Sequence, residues 1–289
     1  MSIVESSSKV TTRLKGSVLG ALFRSRPAKL GGLLLLAFFI IIIAGTFLTP
    51  YNPYENTPDV NAPPSFAHPF GTDNVGHDLF SQVVFGAYSS MYVGLVSAIG
   101  SSIIGVVVGT LAGYYRRLEG ILTGTGDIIL TFPAFPLLIL LGSMYPPTDE
   151  LLIALLILVL WAPIARAVRS QVLSLKERPY VDSARTGGMK DRQIIVQILM
   201  PQVVSIAVAY FVLSVAAAVV LVTSLEFLGV GNPDIVSWGS ILYWAQQFAF
   251  YLGDWWWVLG PGLSITLVAL GFALIGFSIE EVMNPRLRV

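Results

Sequence analysis

Apolar residues do not alternate with polar ones along this chain but come in long blocks separated by short polar segments. Six blocks can each supply the roughly 20 apolar residues that a helix needs to cross the hydrocarbon core of a bilayer. They run from Leu30 to Leu48, Val83 to Tyr114, Ile121 to Met144, Leu151 to Val168, Gln202 to Leu225 and Trp256 to Phe277. The second is too long for one untilted crossing and is expected to tilt or to project beyond the bilayer. The first reads as a retained span, not a cleaved signal peptide: its apolar run exceeds the usual signal core, and "TPYNPYENTP" follows without a small-residue cleavage site.

The pattern also predicts details within and between these spans. Val10, Leu14, Val18 and Leu22 recur at every fourth position among Lys and Arg, which suits a short amphipathic helix on the inner leaflet. In the second span Gly94, Ala98, Ser102, Gly105, Gly109 and Gly113 place small side chains along helix faces, a device for close helix packing. The third contains Phe132-Pro133-Ala134-Phe135-Pro136, where two prolines should kink or unwind the helix. Between Gly229 and Trp255, the residues Trp238, Ile241, Leu242, Trp244, Ala245 and Phe248 could form one face of a short interfacial helix, with its tryptophans at headgroup level.

Composition identifies the solvent. Of 289 residues, 55% are apolar and 12% charged, with a mean hydropathy of +0.75, whereas a soluble domain carries about 25% charged residues. The chain has no cysteine, so disulfides, thiolate metal sites and thiol catalysis are excluded. Its net charge of zero conceals a strict partition. All 17 Lys and Arg lie before the first span, between the second and third, at the end of the fourth or between it and the fifth, or after the sixth. The alternate segments hold acids instead, among them Glu55, Asp59, Asp73, Asp78, Asp149, Glu150, Asp234 and Asp254. By the positive-inside rule both termini face the cytoplasm of a multi-pass protein of the cell membrane.

The largest cytoplasmic interlude, "YVDSARTGGMKDRQIIVQILMP" over 180–201, carries the most specific pattern. Tyr180 to Thr186, including Asp182, Ser183, Ala184 and Arg185, can form two helical turns, which Gly187 and Gly188 interrupt. Asp191 is a plausible N-cap for a second helix with Ile194, Ile195, Ile198 and Leu199 on one face, and Pro201 suits a helix start. The implied shape is a short helix, a glycine elbow and an amphipathic helix leading into a span. Small residues at the elbow would let another protein approach the backbone. From these residues alone the chain is a six-span membrane protein with a partner-docking loop. A secondary transporter, a channel or a membrane scaffold remains open, although no internal repeat of the kind common in secondary transporters is visible.

This loop resembles the cytoplasmic "EAA" loop of ATP-binding cassette importer permeases, in which an acid and small residues precede a glycine, with proline about thirteen residues beyond. The matching positions are Asp182, Ser183, Ala184, Gly188 and Pro201; Asp182 for Glu, Ser183 for Ala and Met200 for Leu are conservative departures. Three further stretches, "HPFGTDNVGHDLFSQVVFGAYSSM", "SLEFLGVGNPDIVSWGSIL" and "NPRLRV", are similar to segments of the second permease of the dipeptide, oligopeptide and nickel importer group. The resemblance implies an all-α, six-helix type I importer permease fold. It divides the chain into a cytoplasmic segment 1–29, a first transmembrane helix 30–49, an extracytoplasmic loop 50–82 and a five-helix core 83–289 that includes the coupling loop 174–201. It further implies a homologous second permease as heterodimer partner, two ATPase subunits holding ATP and Mg, and an extracytoplasmic substrate-binding protein, with the lipid bilayer as solvent and no nucleic acid. The chain itself would be non-enzymatic and without cofactor, in keeping with the lack of a G-x-x-x-x-G-K-[ST] phosphate loop. The resemblance implies peptide as the cargo, with oligosaccharide or nickel as alternatives.

Four residues are candidates for the translocation path or its gate: Asp127, Pro133, Pro136 and Glu226. Ionisable residues in spans are costly and therefore candidates for function. Asp127 lies about 12 Å along a helix beyond Glu119, within reach of a structural pairing with Arg166. Glu226, where related permeases more often carry a small residue, falls near the outer boundary, as a gate or as a hydrated interfacial carboxylate. His77, close to Asp73 and Asp78, could join a metal site, but acids in a Gly-rich loop serve more often as turn formers and caps. Related permeases usually carry Arg in place of His77 and Gln82.

Overall fold

The computed structural model describes residues 25–49 and 51–283. The amphipathic segment expected around Val10, Leu14, Val18 and Leu22 and the NPRLRV tail lie outside the described residues. Nine helices are formed among the described residues: α1 Arg26–Leu48, α2 Leu79–Tyr114, α3 Arg116–Thr131, α4 Ala134–Gly142, α5 Asp149–Lys176, α6 Pro179–Thr186, α7 Asp191–Phe227, α8 Trp238–Leu252 and α9 Trp256–Met283. Helices α1, α2, α5, α7 and α9 are each long and apolar enough to cross a membrane, while α3 and α4 make a sixth span only as a pair bent by 86°.

That bend lies where the proline pair predicts it. Phe132 is held extended (ψ 139°) by the proline that follows. Pro133 caps α4, and Pro136 falls in the first turn, where a missing N–H has no intrahelical acceptor to disappoint. The block from Ile121 to Met144 is thus two helices, not one. At α2 the boundary moves outward from Val83 to Leu79. The cause is Asp78, whose Oδ2 accepts from Ser81 N at 2.8 Å and from Ser81 Oγ at 2.6 Å.

The small-residue stripe of α2 packs against two neighbours. A Cβ at Gly94 would meet Val219 of α7, while Cβ atoms at Gly105, Gly109 and Gly113 would press on Ile164, Val168 and Val172 of α5. Van der Waals packing of this kind holds helices together where lipid removes the hydrophobic drive. Buried Val93, Leu138, Leu156, Val222 and Leu225 fill the space between α2, α4, α5 and α7. On the other side α1 packs along α9, with Ser25 Oγ donating to Ser278 Oγ at 3.2 Å.

The segment before α2 is folded tightly on itself. Thr57 N donates to Gly76 O at 2.9 Å and Asn61 N to Asp73 O at 3.0 Å. Buried His68 has Nδ1 2.9 Å from Asp78 Oδ1 and stacks on Tyr51. His77 Nδ1 lies 2.7 Å from Asp73 Oδ2, and Asp73 Oδ1 accepts from Val75 N and His77 N. Both histidines therefore stand in clasps whose acids also form turns or caps.

The interfacial helix exists as α8, but its buried face differs from the expected one. Trp238, Ile241, Ala245 and Ala249 are buried, whereas Trp244 is 39% exposed. Trp238 is no headgroup anchor: its N donates to Ser90 Oγ at 3.0 Å and its Nε1 to Val83 O at 3.1 Å, both on α2. Indole N–H groups need a partner when buried, and here the α2 backbone supplies one.

Candidate coupling loop and outer gate

Residues 177–190 leave the C-terminal end of α5, form α6 and return to α7. Of α6 only Val181 is fully buried, seated among Val172, Leu175, Ile194, Leu199 and Val203. The rest of the helix, including Tyr180, Asp182, Ser183 and Arg185, stands exposed, with Ala184 half-buried. One apolar peg thus fixes α6 to the ends of two long helices while its polar face is presented outward.

The elbow has a definite geometry. Gly188 adopts φ +85°, its N–H donates to Arg185 O at 3.1 Å, and Met189 N donates to Ala184 O at 3.1 Å. This is a Schellman C-cap, which places Gly188 in the left-handed region that side chains resist. Gly187 sits just before it with φ −74°. Among the described residues nothing lies within 4 Å of a Cβ built on Gly188, so that side of the elbow is open.

Two expectations about the second half of the loop need correction. Asp191 is the first residue of α7 and not its cap: Lys190 occupies the cap position, its N–H donating to Gln193 Oε1 at 2.9 Å. Asp191 accepts a 2.6 Å hydrogen bond from the Tyr114 hydroxyl instead. Pro201 does stand in the first turn of the α-helical stretch Met200–Phe227, as expected, but no break in the helix precedes it. Residues Ile194–Leu199 form a π-turn that runs directly into Met200–Phe227. The widened turn accommodates a residue that lacks an N–H and whose ring would crowd the carbonyl four positions back. Sequence periodicity carries no signal for a π-turn. Gln202 Nε2 donates to Tyr180 Oη at 3.0 Å, closing α6 onto α7.

At the opposite end of α7 is Glu226, 6% exposed. Its Oε2 accepts from Ser237 Oγ at 2.8 Å, and the Gly239 backbone N–H also reaches the carboxylate. It is a covered group tied to the start of α8, not a hydrated interfacial carboxylate. The sequence hinted at this contact only through the glycines at 231 and 239, whose missing side chains leave the space that Glu226 fills.

Asp127 is paired as the spacing suggested, its Oδ1 2.7 Å from Arg166 Nη2, and Glu119 pairs with Arg169 one step nearer the α3 start. The Asp127 pair borders a cavity of about 280 Å³ between α2, α3 and α5. Thr123 Oγ1 and Arg169 Nε, also at this cavity, are buried without a hydrogen-bond partner among the described residues. Pro133 and Pro136 stand at the α3–α4 break and do not line this cavity.

A helical bundle of this kind, with an exposed one-helix loop pinned between the ends of two spans, fits an ATP-binding cassette transporter permease, a non-catalytic subunit whose ATPase is a separate chain. The chain belongs to the family described as binding-protein-dependent transport system inner membrane component, which matches residues 101–289. Residues 16–64 match the N-terminal transmembrane domain of oligopeptide transport permease C. A Brucella suis biovar 1 protein provisionally named as a peptide transport system permease is 35% identical over 270 residues, covering 93% of this chain and 90% of that protein. The dipeptide transport system permease DppC of Bacillus subtilis is 32% identical over 268 residues, covering 92% of this chain and 83% of its own. In fold the chain is similar to a chain of the methionine ABC transporter MetNI, with a TM-score of 0.55 and 18% identity over 72% of this chain and 97% of that one.

Proposed function

We propose that this permease imports di- or oligopeptides into the cytoplasm by alternating access, driven by two separate ATPase subunits that bind ATP and Mg. In this reading a homologous second permease completes the pathway and an extracytoplasmic binding protein delivers the peptide. Both termini and α6 lie on the cytoplasmic side, because all 17 Lys and Arg fall in the segments assigned there. The chain itself needs no cofactor. The observation that carries the reading is the coupling loop: an exposed polar α6, pegged by Val181 alone and ended by the open Gly188 elbow, offers a docking surface at the base of α5 and α7. Tyr180, Asp182, Ser183, Ala184, Arg185, Gly187 and Gly188 form the docking face, and Pro201 with its π-turn passes the motion into α7.

The pathway runs along the side of the bundle where α3 breaks. Irregular backbone at membrane depth is tolerated against protein or a water-filled cavity, which suits Pro133 and Pro136 for this side. The exposed Asp127–Arg166 pair favours the same face, since exposed charges avoid hydrocarbon. Peptide is the cargo that the curated relatives' names favour. Reconstitution of the full complex in proteoliposomes tests this: ATP-dependent uptake of a labelled dipeptide should require this chain and should be competed by peptides. Competition by oligosaccharide or nickel ions alone would replace peptide as the cargo.

A further inference from the structure

Glu226 and α8 are joined by more than one contact. Oε2 of Glu226 accepts from Ser237 Oγ, which itself accepts from Ser240 N at 3.0 Å, while Ser237 N donates to Ser240 Oγ at 2.8 Å. The α8 capping box is therefore completed by a carboxylate from another helix, placed where the helix dipole favours negative charge. A Cβ at Gly231 or Gly239 would overlap the Glu226 side chain, so the fit is steric as well as polar. One residue further along, Phe227 O accepts from Gln246 Nε2 at 2.6 Å, a second tie between α7 and α8. From Trp238, α8 is also bonded to α2.

The other end of α7 is the coupling loop. Asp191–Phe227 is a continuous 37-residue helix, about 55 Å long at 1.5 Å per residue. A helix displaced at one end moves at the other, and what it carries there depends on what is fixed to it. We infer that Glu226 is a positioning residue, the outer anchor through which α7 carries α8 with it, so that motion at the coupling loop re-sets the outer surface that receives the peptide. This rests on the function proposed above and makes Glu226 a mechanical tie instead of a group that meets the cargo. A gate acting through charge would need the carboxylate's charge, whereas a tie needs its acceptor oxygens and its bulk.

Reconstituted complexes distinguish these through the peptide taken up per ATP hydrolysed, a ratio that a mere fall in the amount of folded complex does not change. Glu226→Ala and Ser237→Ala should each lower the ratio, Glu226→Ala by fivefold or more if the coupling is of the usual size of about 5- to 150-fold. Glu226→Gln keeps an acceptor oxygen and the volume, and should stay within about twofold of wild type on the same scale. Wild-type ratios in both alanine variants overturn the tie; so does a Glu226→Gln loss equal to that of Glu226→Ala, which would favour a charge gate. If Glu226→Ala does not insert, the contrast between Ser237→Ala and Glu226→Gln decides alone. Amide exchange of residues 229–252 in the chain alone, in nanodiscs, separates this inference from the proposed function. Faster exchange in Ser237→Ala supports the tie even if the wild-type complex takes up no peptide, and unchanged exchange refutes it whatever the cargo.

Discussion

The Tyr114 hydroxyl donates to Asp191 Oδ1 at 2.6 Å, joining the last residue of α2 to the first residue of α7 across 77 positions of sequence. With Lys176 Nζ on Gly113 O at 2.8 Å, it fastens the ends of α2, α5 and α7 into one base beside the proposed coupling loop. Tyr114→Phe removes the first tie and leaves the second. Because the bond is partly exposed, the expected cost is about 0.5–1.5 kcal/mol. Hydrogen exchange across 187–199 should be faster in the variant, and transport per ATP should fall.

Gly188 tests two contributions separately. Gly188→Ala places a Cβ in the left-handed region and should cost about 1–2 kcal/mol of local stability. It should still bind ATPase subunits, since one methyl adds little bulk. Gly188→Leu bears the same backbone cost and also fills the open side of the elbow. Its spans should insert normally while co-purification with ATPase subunits is lost, and normal transport by this variant would remove the elbow from the docking face.

The Asp127–Arg166 pair is more than half exposed on both sides, 54% and 61%. Asp127→Ala or Arg166→Ala alone should slow uptake, because each leaves one charge unpaired near the bilayer. The exchange Asp127→Arg with Arg166→Asp should recover most of the loss if the pair is structural. Uptake rates of the two alanine singles and their double alanine variant against wild type, at equal complex, give the coupling energy.

Asp254, buried in the turn between α8 and α9, has an Oδ2 without a partner among the described residues, and burial pushes its carboxyl up from 3.8. The folded protein thus takes up the proton more readily than the unfolded chain. The resulting stability is present below pH 3.8 and is lost as pH rises through the folded value. Asp254→Asn should therefore raise the melting temperature at pH 7, by about 2–4 °C per kcal/mol relieved. The advantage should shrink as the buffer is acidified, as a thermal scan at several pH values would read.

Gly109 faces the carbonyl of Ala165 and the side chain of Val168 where α2 packs on α5. Gly109→Val must push the helices apart, at a cost of about 1–3 kcal/mol or more. The expected reading is a lower melting temperature and poor recovery of folded chain, whereas Gly120→Val, in open space on α3, should be tolerated.

The apolar blocks, the segregation of Lys and Arg into alternate segments, the proline break and the helix–glycine outline of the loop after α5 were all legible as one-dimensional pattern. Each is a property of local composition: a bilayer demands about 20 apolar residues per crossing, and proline acts on its own backbone and that of its neighbours. The small-residue stripe was readable as a packing face, yet its division between α7 and α5 was not, since the sequence does not name the facing helix.

What tertiary structure decided lies where one side chain serves a distant element. Asp78 moved the start of α2 outward by capping it, Trp238 turned inward because the α2 backbone accepts its N–H, and Pro201 became interior because a π-turn makes room for its ring. Glu226 is the clearest case. The sequence alone determined that a carboxylate ends the fifth span, but its covering depended on Ser237 and on two glycines brought to it by the fold. A buried carboxylate requires hydrogen-bond donors, and only the packing of α8 against α7 brings those donors within reach.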